Sequence, residues 1–191
     1  MKEIRRLDRT EILKSGDWLS VEKHRVQFPN GQIIDDWSWI VTPSYATVIA
    51  VTTANEVVCF RQSKYALDGV VLAPVAGYIN GTEEPLDTAK RELAEEAGLQ
   101  SDTWKGLGSY VVDSNRGVAV AHLFLATEAI PVTQPPPPSD DLEEQELVLL
   151  SLDAFRQAIV DAKFGALSWT AAGALALLHL EATRPGDRPA S

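Results

Sequence analysis

Residues 77–99 read GYINGTEEPLDTAKRELAEEAGL, and this stretch predicts a loop followed by one amphipathic helix. Pro85 suits the first helical turn, where its missing N–H costs nothing. Gly98 suits the left-handed position that ends a helix. Four apolar residues recur at helical spacing and predict a buried stripe: Leu86, Ala89, Leu93 and Ala97.

The same helix collects carboxylates on its closing turns, where they are unfavourable. Glu92 shares a helix face with Glu95 and Glu96, and like charges at these spacings repel by a few tenths of a kcal/mol per pair. The negative end of the helix dipole adds to the cost. A divalent cation from outside the chain would turn this repulsion into coordination. The alternative is a solvated acidic face, which is common on Glu-rich helices.

The spacing around these carboxylates separates the two alternatives. The pattern is G-x5-E-x7-R-E-U-x-E-E-x-G-U, where U is aliphatic, and by chance it would arise in about one chain in ten million of this length. It resembles the Nudix box of the Nudix hydrolase family. Its members here are Gly77, Glu83, Arg91, Glu92, Leu93, Glu95, Glu96, Gly98 and Leu99.

The resemblance implies a fold and a metal site. It implies an α/β/α sandwich with a mixed sheet, and a Mg²⁺ ion for which Mn²⁺ could substitute. The ligands it implies are Glu92 and Glu96, with Glu95 and the backbone carbonyl of Ala76 as further ones. Gly77, Glu83, Arg91 and Gly98 would be structural, with Arg91 pairing Glu83 to hold the loop to the helix.

Weaker similarities outside the box resemble the ADP-ribose and ADP-sugar pyrophosphatase branch of that family. They are an N-terminal hairpin, the segment RQSKY before the box, and the closing residues 152–180. This branch implies hydrolysis of a nucleoside diphosphate linked to a sugar, which gives a nucleoside monophosphate and a sugar phosphate, by a homodimer. Its general base tends to be a late glutamate, here Glu143, with Glu144 and Glu146 as alternatives. All three fit a solvated acidic loop equally well.

Substrate contacts are less specific in the sequence. Lys64 stands where the branch usually carries arginine, and Arg61 and Arg116 are further cations for phosphates, although all three fit ordinary surface charges. Trp37, with Trp18 and Trp39 nearby, could form a base-stacking wall, a dimer contact or simple core packing.

Two departures from the branch leave the substrate open. Ala73 stands where a glutamate is usual, and residues 113–117, DSNRG, replace a familiar loop. ADP-ribose leads, and ADP-glucose, GDP-mannose or another nucleotide sugar are alternatives. A non-catalytic nucleotide-sugar sensor is a second class of function. A ligand for a proline-recognising domain, through the four prolines at 135–138, is a third.

Composition bounds the remaining properties. The chain has 191 residues, 45% hydrophobic and 23% charged, and a net charge of −10, which argues against nucleic-acid and anionic membrane partners. One cysteine, Cys59, cannot form an internal disulfide, and the first residues lack the apolar run of a signal peptide, so we expect a cytoplasmic protein. We predict a β extension over 1–44, a Nudix domain over 45–183 and a flexible tail over 184–191.

Periodicity predicts the elements in order. Residues 18–27 and 32–41 alternate as a hairpin, and His122 fits a structural histidine within an apolar strand. Further strands are expected at 45–51, 56–62, 69–76, 104–112, 119–127 and 147–152, with closing helices at 152–162 and 168–182.

Overall fold

The computed structural model describes residues 3–133 and 144–183, which form eleven strands and three helices. In chain order the elements are β1 (Arg5–Ser15), β2 (Leu19–Gln27), β3 (Ile33–Val41), β4 (Tyr45–Thr52), β5 (Glu56–Ser63), β6 (Val70–Ala73), β7 (Val75–Tyr78), α1 (Pro85–Ala97), β8 (Leu99–Gln100), β9 (Thr103–Asp113), β10 (Gly117–Pro131), β11 (Gln145–Ser151), α2 (Leu152–Val160) and α3 (Leu167–Ala182).

The chain divides into two compact units. Unit 1 contains the chain up to Ser44 together with Tyr110–Ala121, a segment that holds the end of β9, the following turn and the beginning of β10. Unit 2 contains Tyr45–Ser109 and the chain from His122 onward.

Unit 1 is a small β-structure built on β2 and β3. These strands pair antiparallel, which confirms the predicted hairpin, and β10 begins parallel to β3 with Gly117 opposite Ile40. β1 pairs antiparallel with β2 and was not predicted, because every one of its residues is exposed and the strand carries no alternation of buried side chains.

Unit 2 is organised around β4 and β5, which pair antiparallel with each other. The single strand predicted over 69–76 is wrong, since the segment forms two short strands on either side of Pro74. β6 pairs with β5, and β7 pairs with β4. Proline has no N–H for a sheet ladder, so the chain changes its partner strand there. β11 pairs with β5 over its whole length.

Helices cover this sheet on two faces. Alternate β4 residues Ala46, Val48 and Ala50 join Ala89 and Leu93 of α1 in one buried cluster. α3 also packs on β4, while α2 packs on β5, β11 and α3. The alternate residues of β4, Thr47, Ile49 and Val51, face the other side and are also buried, so both faces of this strand are covered. The predicted α/β/α sandwich with a mixed sheet and an N-terminal β extension is confirmed.

Cys59 has a clear place in unit 2. Cys59 is buried in β5, and burial raises the pKa of its thiol to about 12, which leaves almost no thiolate at neutral pH. Within 3–133 and 144–183, no helix combines the length and the apolar character needed to cross a bilayer.

Candidate active site

The local sequence of α1 explains where its carboxylates lie. Pro85 begins the helix and Gly98 ends it with φ at 64°, its N–H bonding the carbonyl of Ala94 at 3.0 Å. No basic residue lies in the last turn. The buried residues Ala89 and Leu93 fix which face packs on the sheet, so the glutamates are held beside the core at the border with the preceding loop.

Arg91 is the centre of the carboxylate cluster. Its Nε and one Nη2 proton donate to Glu83 at 3.2 Å each, and Nη1 donates to Glu92 at 2.7 Å and to Glu95 at 2.8 Å. Nη2 also donates to the carbonyl of Tyr78 at 3.2 Å. A guanidinium has five N–H groups, and Arg91 uses all of them.

These contacts shift the protonation of both partners. The hydrogen bond from Arg91 is the main cause that lowers the pKa of Glu83. Burial alone would lower the pKa of Arg91, but its hydrogen bonds to Glu83, Glu95 and Glu92 raise it. Beyond its implied pairing with Glu83, Arg91 thus supplies positive charge to Glu92 and Glu95, which the sequence analysis had left to a cation from outside the chain.

β7, the strand before α1, brings backbone atoms to the same carboxylates. The Ala76 N–H donates to Glu96 Oε2 at 3.1 Å. Gly77 lies directly against Glu92, and a Cβ at this position would overlap the Glu92 Oε1 atom. Ala76, Gly77, Glu92 and Glu96 are thus gathered at one place, as the positions of the motif indicate.

The donor set suits a hard divalent cation. In the described part of the chain, no group of three or more acidic, histidine or cysteine side chains is arranged as an ion site, because Glu92 and Glu95 turn onto Arg91 and Glu96 onto a backbone N–H. The chemistry still fits, since carboxylate and carbonyl oxygens are the ligands of Mg²⁺ and the space beside Gly77 is kept clear for Glu92.

The predicted cations and bases of unit 2 lie around the end of β5. Arg61 pairs with Glu146 of β11 at 3.6 Å, both side chains being exposed. Its neighbour Phe60 belongs to the buried cluster under α1, so Arg61 faces the opposite side of the sheet. Lys64 follows the end of β5 and Glu144 precedes β11, whereas Glu143 lies outside the described residues.

Trp37 and Arg116, the other predicted substrate contacts, belong to unit 1. The Trp37 Nε1–H donates to the Asn115 carbonyl at 2.7 Å. Arg116 lies 3.7 Å from Asp113 Oδ2, and its side chain is largely exposed. Two cavities of about 270 and 420 Å³ both have Trp37 and Asn115 in their walls.

Thr88 is a member of the cluster that the sequence analysis missed. It is fully buried, and its hydroxyl donates to Glu83 at 2.8 Å, so it helps Arg91 to hold that carboxylate. The signal was present in the sequence, because Thr88 is a polar residue beside the apolar stripe position Ala89. His122, by contrast, is half-buried in β10 with Ser109 Oγ 2.8 Å from its Nδ1.

Comparisons with known proteins agree with this geometry. One relative is a methanol dehydrogenase activator from Bacillus methanolicus, 28% identical over 79% of this chain and 80% of that protein. Another is an ADP-ribose pyrophosphatase from Bacillus subtilis (strain 168), 26% identical over 72% of each chain. The fold matches a crystal structure of an ADP compounds hydrolase with a TM-score of 0.78 and 17% identity, covering 95% of this chain and 96% of that one.

The family comparison covers the whole candidate site of unit 2. Residues 42–170 match the NUDIX domain, which is more than half of the chain and includes β4 to α2 and the complete carboxylate cluster. The chain belongs to the Nudix hydrolase family.

Proposed function

We propose that the protein hydrolyses the pyrophosphate bond of a nucleoside diphosphate linked to a second moiety, with ADP-ribose as the leading substrate. The products would be a nucleoside monophosphate and a sugar phosphate. The observation that carries the proposal is the meeting of Glu92 and Glu96 with the Ala76–Gly77 backbone in a chain of this family. The relative named as an ADP-ribose pyrophosphatase supports the choice of substrate.

A divalent ion, Mg²⁺ or in its place Mn²⁺, is part of the proposal, since Nudix hydrolases generally use divalent metals. Glu92, Glu96 and the Ala76 carbonyl would hold it, with Glu95 as a further ligand or a contact to bound water. Such an ion neutralises phosphate charge and lowers the pKa of a bound water.

The chain's own residues would do the rest of the work. Arg91 holds Glu92 and Glu95 on one side and Glu83 on the other, which fixes the carboxylates before substrate arrives. We assign the role of general base to Glu143, because the resemblance implies a glutamate before β11. Glu144 and Glu146 are the alternatives. Of these, Glu146 already pairs with Arg61, which makes it the least available.

Binding of the nucleotide would use cations and an aromatic ring. In unit 2, Lys64 is proposed as the first phosphate contact, followed by Arg61. In unit 1, Arg116 is proposed as a further phosphate contact and Trp37 as a ring on which a base stacks. The cavity of about 270 Å³ beside Trp37, with Trp39, His24 and Arg6 in its walls, supports the stacking role.

The proposal extends to the assembly and the compartment. A homodimer formed through the 1–44 extension is supported by the exposed apolar side chains of β1. The Nudix domain would span 45–183, and the tail predicted over 184–191 lies outside the described residues. A cytoplasmic location fits the one buried, unpaired cysteine.

The direct test is a panel of ADP-ribose, ADP-glucose and GDP-mannose with Mg²⁺ or Mn²⁺, comparing the wild type with Glu96→Gln. We expect turnover that needs the metal and falls at least about a hundredfold in the variant. Absence of turnover with every substrate and both metals, or full activity of Glu96→Gln, would refute the catalytic proposal. That result with intact nucleotide binding would indicate the sensor instead.

The base is tested separately by Glu143→Gln, Glu144→Gln and Glu146→Gln. General-base loss typically costs about a hundredfold or more in kcat, so only Glu143→Gln should show it. If Glu144→Gln loses as much as Glu143→Gln, the assignment moves.

A second candidate is favoured by the relative named as a methanol dehydrogenase activator, which spans most of both chains. The protein would then act on a dehydrogenase. The test measures alcohol oxidation by a purified methanol dehydrogenase with and without this protein. If this protein increases the oxidation rate and Glu96→Gln abolishes the increase, activation depends on the proposed hydrolytic site. If the rate does not increase, this candidate is rejected.

A further inference from the structure

We propose that Asp113 and Asn115 are positioning residues that fix the Trp37 indole and so determine which nucleobase the ring accepts. The inference rests on the proposed function in one respect, that Trp37 stacks on the base. The positioning itself is argued from contacts within unit 1.

The indole of Trp37 is restrained by a hydrogen bond from its one polar atom, Nε1. A tryptophan side chain has a single N–H donor, and here it donates to the Asn115 carbonyl at 2.7 Å across 78 positions of sequence. The Phe28 ring lies 5.9 Å from the Trp37 ring between centroids, so the indole is held by this contact and by the Asn115 carbonyl together. A ring held in this way offers a fixed face for stacking.

The Asn115 carbonyl is in turn fixed by Asp113. Its Oδ1 accepts from the Asn115 N–H at 2.8 Å and from the Arg116 N–H at 3.0 Å, which closes a tight turn. The turn is attached to the strand that carries Trp37, because the Arg116 carbonyl accepts from the Ile40 N–H of β3 at 2.9 Å. Asp113, Asn115, Ile40 and Trp37 thus form one closed chain of hydrogen bonds and backbone.

The orientation of the ring has consequences because Trp37 borders two cavities. The cavity of about 270 Å³ also has Arg6, His24 and Trp39 in its walls, with the His24 and Trp39 rings stacked at 5.2 Å and 19°. The cavity of about 420 Å³ has Asp36 and Arg116 instead. A rotation of the indole would enlarge one of these cavities and narrow the other. A base stacked on the ring would then contact different side chains.

The test removes the indole hydrogen bond from either end. Trp37→Phe keeps an aromatic ring but has no N–H, and Asp113→Ala removes the acceptor that closes the turn. Asp113→Asn keeps an Oδ1 acceptor and should rescue. Trp104→Phe is a matched control in unit 2, because its Nε1–H donates to the Ser101 carbonyl at 2.8 Å in the same way.

The first readout needs no substrate. A ¹H–¹⁵N spectrum should show the five indole signals of the chain, and the signal absent in Trp37→Phe belongs to Trp37. We expect slow hydrogen exchange of that signal in the wild type, fast exchange in Asp113→Ala and slow exchange again in Asp113→Asn. Fast exchange in the wild type, or no difference between the variants, overturns the positioning.

The second readout is metal-free binding of AMP and GMP by calorimetry. Trp37→Phe and Asp113→Ala should each change the AMP-to-GMP affinity ratio by about tenfold, because a base that moves with the ring loses about one net hydrogen bond to its edge. Asp113→Asn and Trp104→Phe should stay within twofold of the wild type. The double variant should be no worse than either single variant, because both remove one coupled contact. Additive losses, or an unchanged ratio in Asp113→Ala, overturn the specificity role. A wild type that binds neither nucleotide refutes the stacking part of the proposed function and with it the specificity role, while the indole signal still decides the positioning.

Discussion

Arg91 holds the candidate site together at the scale of single residues. It donates all five of its N–H groups, four of them to three glutamates that would otherwise repel one another. Its side chain is 27% exposed, so these bonds are partly shielded from water. The guanidinium thus offsets part of the repulsion between the carboxylates. One oxygen of Glu92 and one of Glu95 accept no hydrogen bond from it.

Replacing Arg91 by lysine should therefore damage both stability and activity. An ammonium has three donors and no fork, so at least two of the five bonds are lost. We expect unfolding to become about 1–3 kcal/mol easier, and kcat to fall by about 10–100-fold. Urea unfolding and steady-state kinetics measure the two effects. The neighbouring exposed Lys90, changed to alanine, is the control and should leave both within error; a fully active Arg91→Lys would contradict the orienting role.

Gly77 gives a second prediction, because its missing side chain leaves room for Glu92. A Cβ at position 77 would overlap Glu92 Oε1 and force that carboxylate away from Arg91 and from the backbone of β7. Gly77→Ala should fold, bind Mn²⁺ at least about tenfold more weakly and lose activity in proportion. Gly106→Ala is the matched control, since a Cβ there meets nothing within 4 Å. Equal Mn²⁺ affinity in both variants would contradict the explanation.

At the scale of elements, α1 and the β2–β3 hairpin were predictable because each carries a periodic apolar pattern with its own end signals. Pro85 and Gly98 bound the helix, and the turn at 29–31 joins the strands. β1 was not predictable, because its fully exposed residues carry no burial pattern. The break at Pro74 was readable in hindsight, but the change of partner from β5 to β4 depends on long-range pairing that no local signal specifies.

The β9–β10 pair allows a pH prediction at this scale. Burial lowers the pKa of His122 below its ordinary value of 6.5, so the folded protein keeps it neutral where the unfolded chain is already protonated. The stability that this contributes is complete above pH 6.5 and is lost as the pH falls through the native pKa.

Wild-type protein should accordingly lose more unfolding free energy than His122→Gln between about pH 7.5 and about pH 5.5. Urea unfolding at each pH measures the two slopes, and an NMR titration of the His122 ring reports its pKa directly. Ser109→Ala removes the hydroxyl 2.8 Å from His122 Nδ1 and shows how far that contact contributes. A steeper slope in His122→Gln would contradict the sign.

For the whole molecule, the contacts of the carboxylate cluster in unit 2 could be predicted from the sequence, whereas the contact of Trp37 in unit 1 could not. Gly77, Arg91 and the carboxylates lie within one contiguous motif, and Ala76 directly precedes it, so their spacing was enough to predict that they meet. Trp37 and Asn115 meet across 78 positions through strand pairing, and no local pattern announces that contact. The contacts of the proposed base-stacking residue are therefore harder to predict than those of the proposed metal ligands.

The exposed apolar surface of unit 1 leads to a prediction about assembly. β1 has no buried residue, and its apolar residues Leu7, Ile12 and Leu13 are 44%, 63% and 53% exposed. Among the described residues, β1 is a terminal strand that pairs only with β2. An edge strand with exposed apolar side chains is a template for association. A second copy of the chain would cover it, as the proposed homodimer requires.

We expect light scattering after size exclusion to give twice the mass of one chain for the wild type. Ile12→Glu should weaken the dimer at least about tenfold, because burying a charge at an apolar contact costs several kcal/mol unless it is paired. Val160→Glu, at a 73% exposed apolar residue of unit 2, is the control and should leave the mass unchanged. A monomeric wild type at micromolar concentration would reject the dimer. A shift in mass caused by Val160→Glu but not by Ile12→Glu would move the interface from β1 to the α2 end of unit 2.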